Sequence, residues 1–153
     1  ARKVVGMGQP LQMNEVDKSK PEVGEVLVRI QTCGLNFGDL LVIKGTYQEK
    51  PALPATIGME ICGTITALGA GVTHLKVGQK IGSYCGFGGL ADFAAIRANL
   101  CVLLPDDMNP VDAAAFLIAY GTSYVALVYK ASFKASKPLL FLVSSGGFFL
   151  TAV

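Results

Sequence analysis

The chain of 153 residues contains no tryptophan and a single histidine, His74. Its four cysteines, Cys33, Cys62, Cys85 and Cys101, are widely spaced and form no Cys-x-x-Cys pair. A metal site of ordinary ligand spacing is therefore not expected. Charge is also scarce. Asp, Glu, Lys and Arg make up 16% of the residues, well under the roughly 25% usual in soluble domains. Thirteen Lys+Arg stand against 11 Asp+Glu, a net charge of +2 with no basic cluster; this excludes an electrostatic footprint for nucleic acid. The opening residues, Ala1 to Gly6, lack the apolar stretch of a signal peptide. The cysteines are accordingly expected as reduced, mostly buried thiols. A cytoplasmic location follows as the expectation, with mitochondrial as the alternative if a targeting segment has been trimmed. Two uncharged runs, Ala113 to Tyr129 and Pro138 to Val153, fall short of the roughly 20 residues a spanning helix needs. Both contain glycines and hydroxyls, so a membrane span is not expected.

What is present is apolar and rich in turns. Hydrophobic residues reach 52%, enough to fill a core, and 18 glycines point to many tight turns. The length suits one domain, or one domain plus a fragment of another. In the first hundred residues Val26, Val28 and Ile30 alternate with Leu27, Arg29 and Gln31, the pattern of a half-buried strand. Further strands are expected over Glu60 to Leu68, Lys80 to Tyr84, Leu90 to Ile96 and Leu100 to Leu104. This spacing predicts a small antiparallel barrel or sandwich. One helix interrupts the series, with Asn36 at its N-cap, Asp39 at N3 and Lys44-Gly45 as its stop.

After Leu104 the chemistry changes. Asn109-Pro110, with Asp112 in the first turn, starts a helix that runs through Ala113 to Tyr120. Gly121 is expected to break it, and Thr122 or Ser123 to cap a second helix. Leu139 to Val143 then reads as a strand and Ser144-Ser145-Gly146-Gly147 as a turn, the opening of a βαβ unit. The expected domains are 1–108, mainly β with short helices, and 109–153, connecting helices and the incomplete start of a dinucleotide-binding domain.

Three segments carry a resemblance: Cys33-Gly34-Leu35-Asn36-Phe37-Gly38-Asp39-Leu40-Leu41, Pro54-Ala55-Thr56-Ile57-Gly58-Met59-Glu60 and Ala119-Tyr120-Gly121-Thr122-Ser123-Tyr124. In this order and spacing they resemble the zinc-independent quinone oxidoreductases of the medium-chain dehydrogenase/reductase superfamily. The resemblance implies a GroES-like catalytic domain followed by a Rossmann domain that binds NADPH. It implies zinc-free hydride transfer to a small-molecule quinone or enone. Where the zinc-dependent alcohol dehydrogenases carry a Cys ligand this chain has Asn36, and where they carry a His ligand it has Met59. An amide and a thioether do not replace thiolate and imidazole on Zn²⁺, so no metal is expected. The family's phosphate loop, Gly/Ala-x-x-Gly-Gly-x-Gly, corresponds to Val143 to Phe149; Gly146 and Gly147 match as cofactor-binding residues, and Phe149 replaces the last glycine. A P-loop is excluded, because no Gly-Lys-Ser/Thr follows.

By motif position the resemblance places Asn36 and Tyr47 beside nicotinamide and substrate, as catalytic residues, with Asn36 and Thr122 also touching the cofactor. A phenol such as Tyr47 can donate a hydrogen bond to an oxygen that becomes negative as hydride arrives. Each residue also has a plain structural reading. Asn36 could serve as the helix N-cap, Tyr47 could cover the loop from Gly45 to Pro54, and Thr122 could be a helix cap. Asp39 reads as a first-turn carboxylate, Glu60 as a hydrogen-bonded structural residue and His74 as a surface residue. Sixteen residues follow Lys137 (153 − 137), fewer than a βαβ unit requires. The alternative function is therefore a non-enzymatic truncated form, a binding module with an apolar C-terminal segment suited to self-association.

Overall fold

A run rich in β-branched residues, closed at one end by Gly69-Ala70-Gly71, forms the central strand of the chain. In the computed structural model, which describes residues 2–4, 8–134 and 138–140, this strand is β5 (Glu60–Leu68). The other strands are β1 (Arg2–Val4), β2 (Gln12–Met13), β3 (Glu25–Gly34), β4 (Ala55–Thr56), β6 (Lys80–Tyr84), β7 (Phe93–Arg97) and β8 (Cys101–Leu103). They make two antiparallel sheets, five strands in the order β7-β3-β5-β6-β8 and three in the order β2-β1-β4. The expected mainly β architecture with short helices is what the chain adopts.

Burial explains the sequence patterns. Val26 and Val28 are fully buried, and so is Leu27 on the opposite face at 4% exposure. Strand β3 is thus covered on both sides there rather than half-buried. The core gathers Val26, Val28, Ile61, Ile65, Leu75, Ile81, Ala94, Ile96 and Ala98. Nearly all of these come from strands that pair within the five-stranded sheet. The edge strand β8 is mostly exposed, as its short length requires of an edge.

Two compact units are distinguished, Ala1–Ala115 and Phe116–Val153. In the first, Thr32 Oγ1 donates to the Pro110 carbonyl at 2.6 Å, and Lys80 Nζ donates to the Asp106 and Met108 carbonyls at 2.5 and 3.0 Å. Ala113 and Ala114 are buried in a small cluster with Cys62. These contacts fix the first turn of helix α2 (Pro110–Tyr124) on the five-stranded sheet.

Helix α2 corrects one expectation. It runs through Gly121, and a π-helical stretch, Val125–Lys130, continues it. Thr122 is an exposed residue inside the helix, not a cap. Ser123 spends its hydroxyl on the Ala119 carbonyl four residues back, at 3.1 Å, a bond that suits mid-helix hydroxyls. Interior glycine costs a helix only about 1 kcal/mol, too little to break a segment of Ala, Leu and Ile. The helical segment Pro110–Lys130 has 21 residues, long and apolar enough by length and composition to cross a membrane. The expectation from the length of the uncharged run alone does not carry over to it.

A side chain at Gly121 would meet nothing within 4 Å. Gly121→Ala is expected to stabilise the chain by about 0.5–1 kcal/mol, read as a higher urea midpoint. A lower midpoint would show that the helix does not continue through this position.

Residues 138–140 carry no regular secondary structure. The rest of the expected strand Leu139 to Val143, with Ser144, Ser145, Gly146, Gly147 and Phe149, lies outside the described residues.

A site built around one short helix

Helix α1 (Phe37–Lys44) holds the two candidate catalytic residues, one at each end. Asn36 stands at its N-cap in extended conformation. Its backbone N–H donates to Asp39 Oδ2 at 2.9 Å, and its side-chain amide donates to Glu60 Oε2 at 3.4 Å. At the other end Gly45, in the left-handed region with φ 73°, turns the chain back. Thr46 and Tyr47 then donate their backbone N–H groups to the Leu41 carbonyl at 2.9 and 3.2 Å. This returns the Tyr47 ring along the helix. A side chain on Gly38 would meet Met59 Sδ at 3.0 Å and Tyr47 Cε2 at 3.4 Å. Tyr47 and Met59 therefore close over the first turn of α1, two residues from Asn36.

Two buried carboxylates brace this arrangement. Asp39 is 2% exposed and Glu60 1%. Asp39 Oδ1 accepts the Gly58 N–H at 3.0 Å, so one carboxylate ties the start of α1 to the loop before β5. Gly58 has φ +100°, and a side chain there would meet Leu90 N at 2.6 Å and Cys33 Sγ at 2.8 Å. Only glycine serves at that point. Asp39 is thus the first-turn carboxylate its spacing predicts, with a tertiary partner that the spacing does not reveal. Glu60 is a hydrogen-bonded buried residue.

The last residue of β6, Tyr84, was not singled out by its sequence. It sits opposite Glu60 in the β5–β6 register, and Glu60 sits opposite Gly34 across β3. Cross-strand partners project to the same face, so Gly34, Glu60 and Tyr84 form one row. Burial pushes the Tyr84 pKa up first, and the neighbouring Tyr47 and then Glu49 add to the effect. The signal in the sequence was present, a tyrosine ending a strand, but its partner depends on register.

The cysteines are all free; Cys62 is buried and the others are partly so. Burial, with Asp39 nearby, pushes the Cys33 thiol up to about 11; burial, then Cys33, pushes Cys85 up to about 12; burial raises Cys101 to about 11. Burial also raises Cys62. Thiols held in this way are protonated near neutrality and are poor nucleophiles.

His74 is exposed, with Nε2 3.5 Å from the Ala98 carbonyl. Among the described residues no group of three His, Cys, Asp or Glu side chains could hold a metal ion. Asn36 and Met59, where a zinc site would need thiolate and imidazole, offer an amide committed to Glu60 and a thioether packed on Gly38. This donor set does not fit Zn²⁺.

Residues 22–106 match the family model of the alcohol dehydrogenase GroES-like domain. The chain is 34% identical over 151 residues to the quinone oxidoreductase-like protein 2 homolog of Nematostella vectensis, across 96% of this chain and 41% of that protein. Among solved structures, the human synaptic vesicle membrane protein VAT-1 homolog-like protein superposes with a TM-score of 0.95 at 28% identity, over 99% of this chain and 50% of that one. The quinone oxidoreductase of Thermus thermophilus, solved also in complex with NADPH, gives 0.87 at 28% identity, over 99% and 48%. The chain spans about half the length of these relatives or less. It belongs to the alcohol dehydrogenase GroES-like domain family, and the proteins it is similar to include quinone oxidoreductase-like ones.

Proposed function

We propose that the chain forms the catalytic portion of an NADPH-dependent oxidoreductase that reduces a quinone or an activated alkene conjugated to a carbonyl, without zinc. The observation that carries this reading is the convergence of Asn36, Tyr47 and Met59 on the first turn of α1, where the groups present are hydrogen-bonding and apolar ones. Similarity to a quinone oxidoreductase solved with NADPH supports the choice of cofactor. The donor present suits it: Asn36 is a part-exposed amide, able to hydrogen-bond a carboxamide. NADPH supplies the hydride when bound. The protein's share is orientation and charge stabilisation. Asn36, held by Glu60 and by Asp39, offers a fixed polar contact. Tyr47 donates its hydroxyl proton in a hydrogen bond to the carbonyl oxygen as negative charge collects there. Met59, beside Tyr47 over Gly38, leaves the surroundings apolar, which strengthens that bond. Free thiols suit a reducing compartment, and we place the protein in the cytoplasm, with the mitochondrion as the alternative.

Titration of NADPH into the purified chain, followed by cofactor fluorescence with NADH as comparison, tests the proposal. Saturation in the micromolar range, weaker for NADH, is the expected result. No saturation up to millimolar cofactor would overturn cofactor binding by this chain. The reading as a non-enzymatic binding module would then take its place, and the exposed Phe116, Tyr120 and Tyr124 would be the surface to pursue.

A further inference from the structure

Two buried carboxylates hold Asn36, and they hold different parts of it. Asp39 Oδ2 accepts its backbone N–H at 2.9 Å, and Glu60 Oε2 accepts from its side-chain amide at 3.4 Å. We infer that Glu60 is a positioning residue that fixes the sense of the Asn36 amide, nitrogen toward the sheet, and so leaves the amide oxygen to accept an N–H of the ligand. The ligand class that follows carries a primary carboxamide, as a nicotinamide ring does. A ring bearing a ketone in its place has no N–H to give. The use of this device rests on the reductase reading; its geometry does not.

Three observations support it. The first is chemical. An amide side chain has two ends of similar shape and opposite hydrogen-bonding character, whereas a carboxylate only accepts. The nitrogen, not the oxygen, therefore faces Glu60. Asp39 does not compete for it, because its two oxygens take the Asn36 and Gly58 backbone N–H groups. Second comes anchoring. Glu60 is 1% exposed and opens β5, a strand paired on both sides, with β3 and with β6. Its Oε2 lies 3.2 Å from where a side chain on Gly34 would begin, so the carboxylate fills room that a glycine leaves. A residue on such a strand is suited to fix a rotor beside it. The third lies at the other end of the amide. In the capping box of α1 the Asn36 side chain faces the Asp39 N–H, whose hydrogen bond closes on the Asn36 backbone carbonyl at 3.0 Å. A carbonyl oxygen has two lone pairs, so acceptor capacity remains, and Asn36 is part-exposed, within reach of a ligand.

Two measurements on the purified chain test this, and neither needs turnover. The first is nuclear magnetic resonance of the isotope-labelled chain, with the Asn36 side-chain amide signals identified by their loss in Asn36→Ala. In the parent these hydrogens should exchange with water more slowly than those of exposed amides. Glu60→Gln should shift the signals and speed the exchange, because glutamine donates as well as accepts and no longer dictates which end faces it. Unmoved signals in a variant that circular dichroism shows folded would overturn the inference. Should that variant not fold, the parent decides: an Asn36 amide exchanging as fast as exposed ones overturns it. The second measurement compares the affinities of NADPH and its reduced acetylpyridine analogue, in which a methyl ketone replaces the carboxamide, by cofactor fluorescence. The parent should bind NADPH about fivefold tighter, the worth of one ordinary hydrogen bond. That preference should vanish in Asn36→Ala and in Glu60→Gln. A merely structural Glu60 would weaken both dinucleotides alike and leave their ratio unchanged, and that result, or no preference in the parent, would overturn the inference. Binding of neither dinucleotide, with the Asn36 signals still dependent on Glu60, would sink the reductase reading and leave the hold of Glu60 on the amide standing.

Discussion

Gly34→Ala is expected to destabilise the chain by about 3 kcal/mol, the upper end of ordinary overpacking, and to lower Tm by roughly 6–12 °C. Gly34 is the last residue of β3, paired with Glu60. The direction in which its side chain would project is occupied by the backbone carbonyl of Ala114, in the first turns of α2, with Glu60 Oε2 3.2 Å away. Neither neighbour yields easily. The Ala114 carbonyl belongs to a helix whose start is held by Thr32 Oγ1 on the Pro110 carbonyl and by the buried Ala113 and Ala114 against Cys62. Glu60 is buried and committed to Asn36. An added methyl must therefore lift α2 from the sheet or part β3 from β5, and either route gives up buried contacts that a flexible side chain would have spared. Urea unfolding followed by far-ultraviolet circular dichroism measures the effect. A midpoint within experimental error of the parent would mean that α2 is not seated on Gly34. The contrast with Gly121→Ala is the internal control: two glycines, the same substitution, opposite expected signs, decided by whether a backbone atom or open space lies beyond the Cα.

Local chemistry made much of this fold readable. Strands β5 and β6 match their sequence-based bounds residue for residue, because β-branched alternation and flanking glycines act within a few positions. Helix α1 was legible from its caps: Asn36, Asp39 and Gly45 stand where side-chain acceptors and a left-handed residue are needed. Strands β1, β2 and β4 were not. They are two or three residues long, and β1 pairs with β4 through Lys3 and Thr56, so nothing local marks them. Gly121 misled because a propensity penalty was treated as decisive where its neighbours outweigh it. At the site, the family resemblance pointed to Asn36 and Tyr47, but only the register of β5 on β6 sets Tyr84 opposite Glu60, and register is a tertiary property. The same holds for Asp39, whose bond to the Gly58 N–H joins segments 19 residues apart.

Under the proposed reductase mechanism Tyr47→Phe carries the largest expected effect on chemistry, a fall in kcat of about 10²-fold with NADPH and a quinone, the usual consequence of losing one donor to a developing oxyanion. The substitution is chosen because it leaves the ring in place. The contact with Gly38 and the packing beside Met59 depend on carbon atoms, and the backbone bond from the Tyr47 N–H to the Leu41 carbonyl does not involve the side chain. Folding should therefore be unaffected. The neighbouring Tyr84, 43% exposed, has access to water, so no buried group is left unpaired. NADPH affinity should also hold, since the hydroxyl acts on the oxygen that gains charge and that charge exists only as hydride arrives. An interaction made only in the transition state lowers kcat and kcat/KM together when it is removed. A rise in KM with unchanged kcat would instead assign Tyr47 to substrate binding. Unchanged kinetics would return it to the other role its place allows, a cover for the loop between Gly45 and Pro54, and would leave the Asn36 amide to meet a reacting carbonyl on this turn.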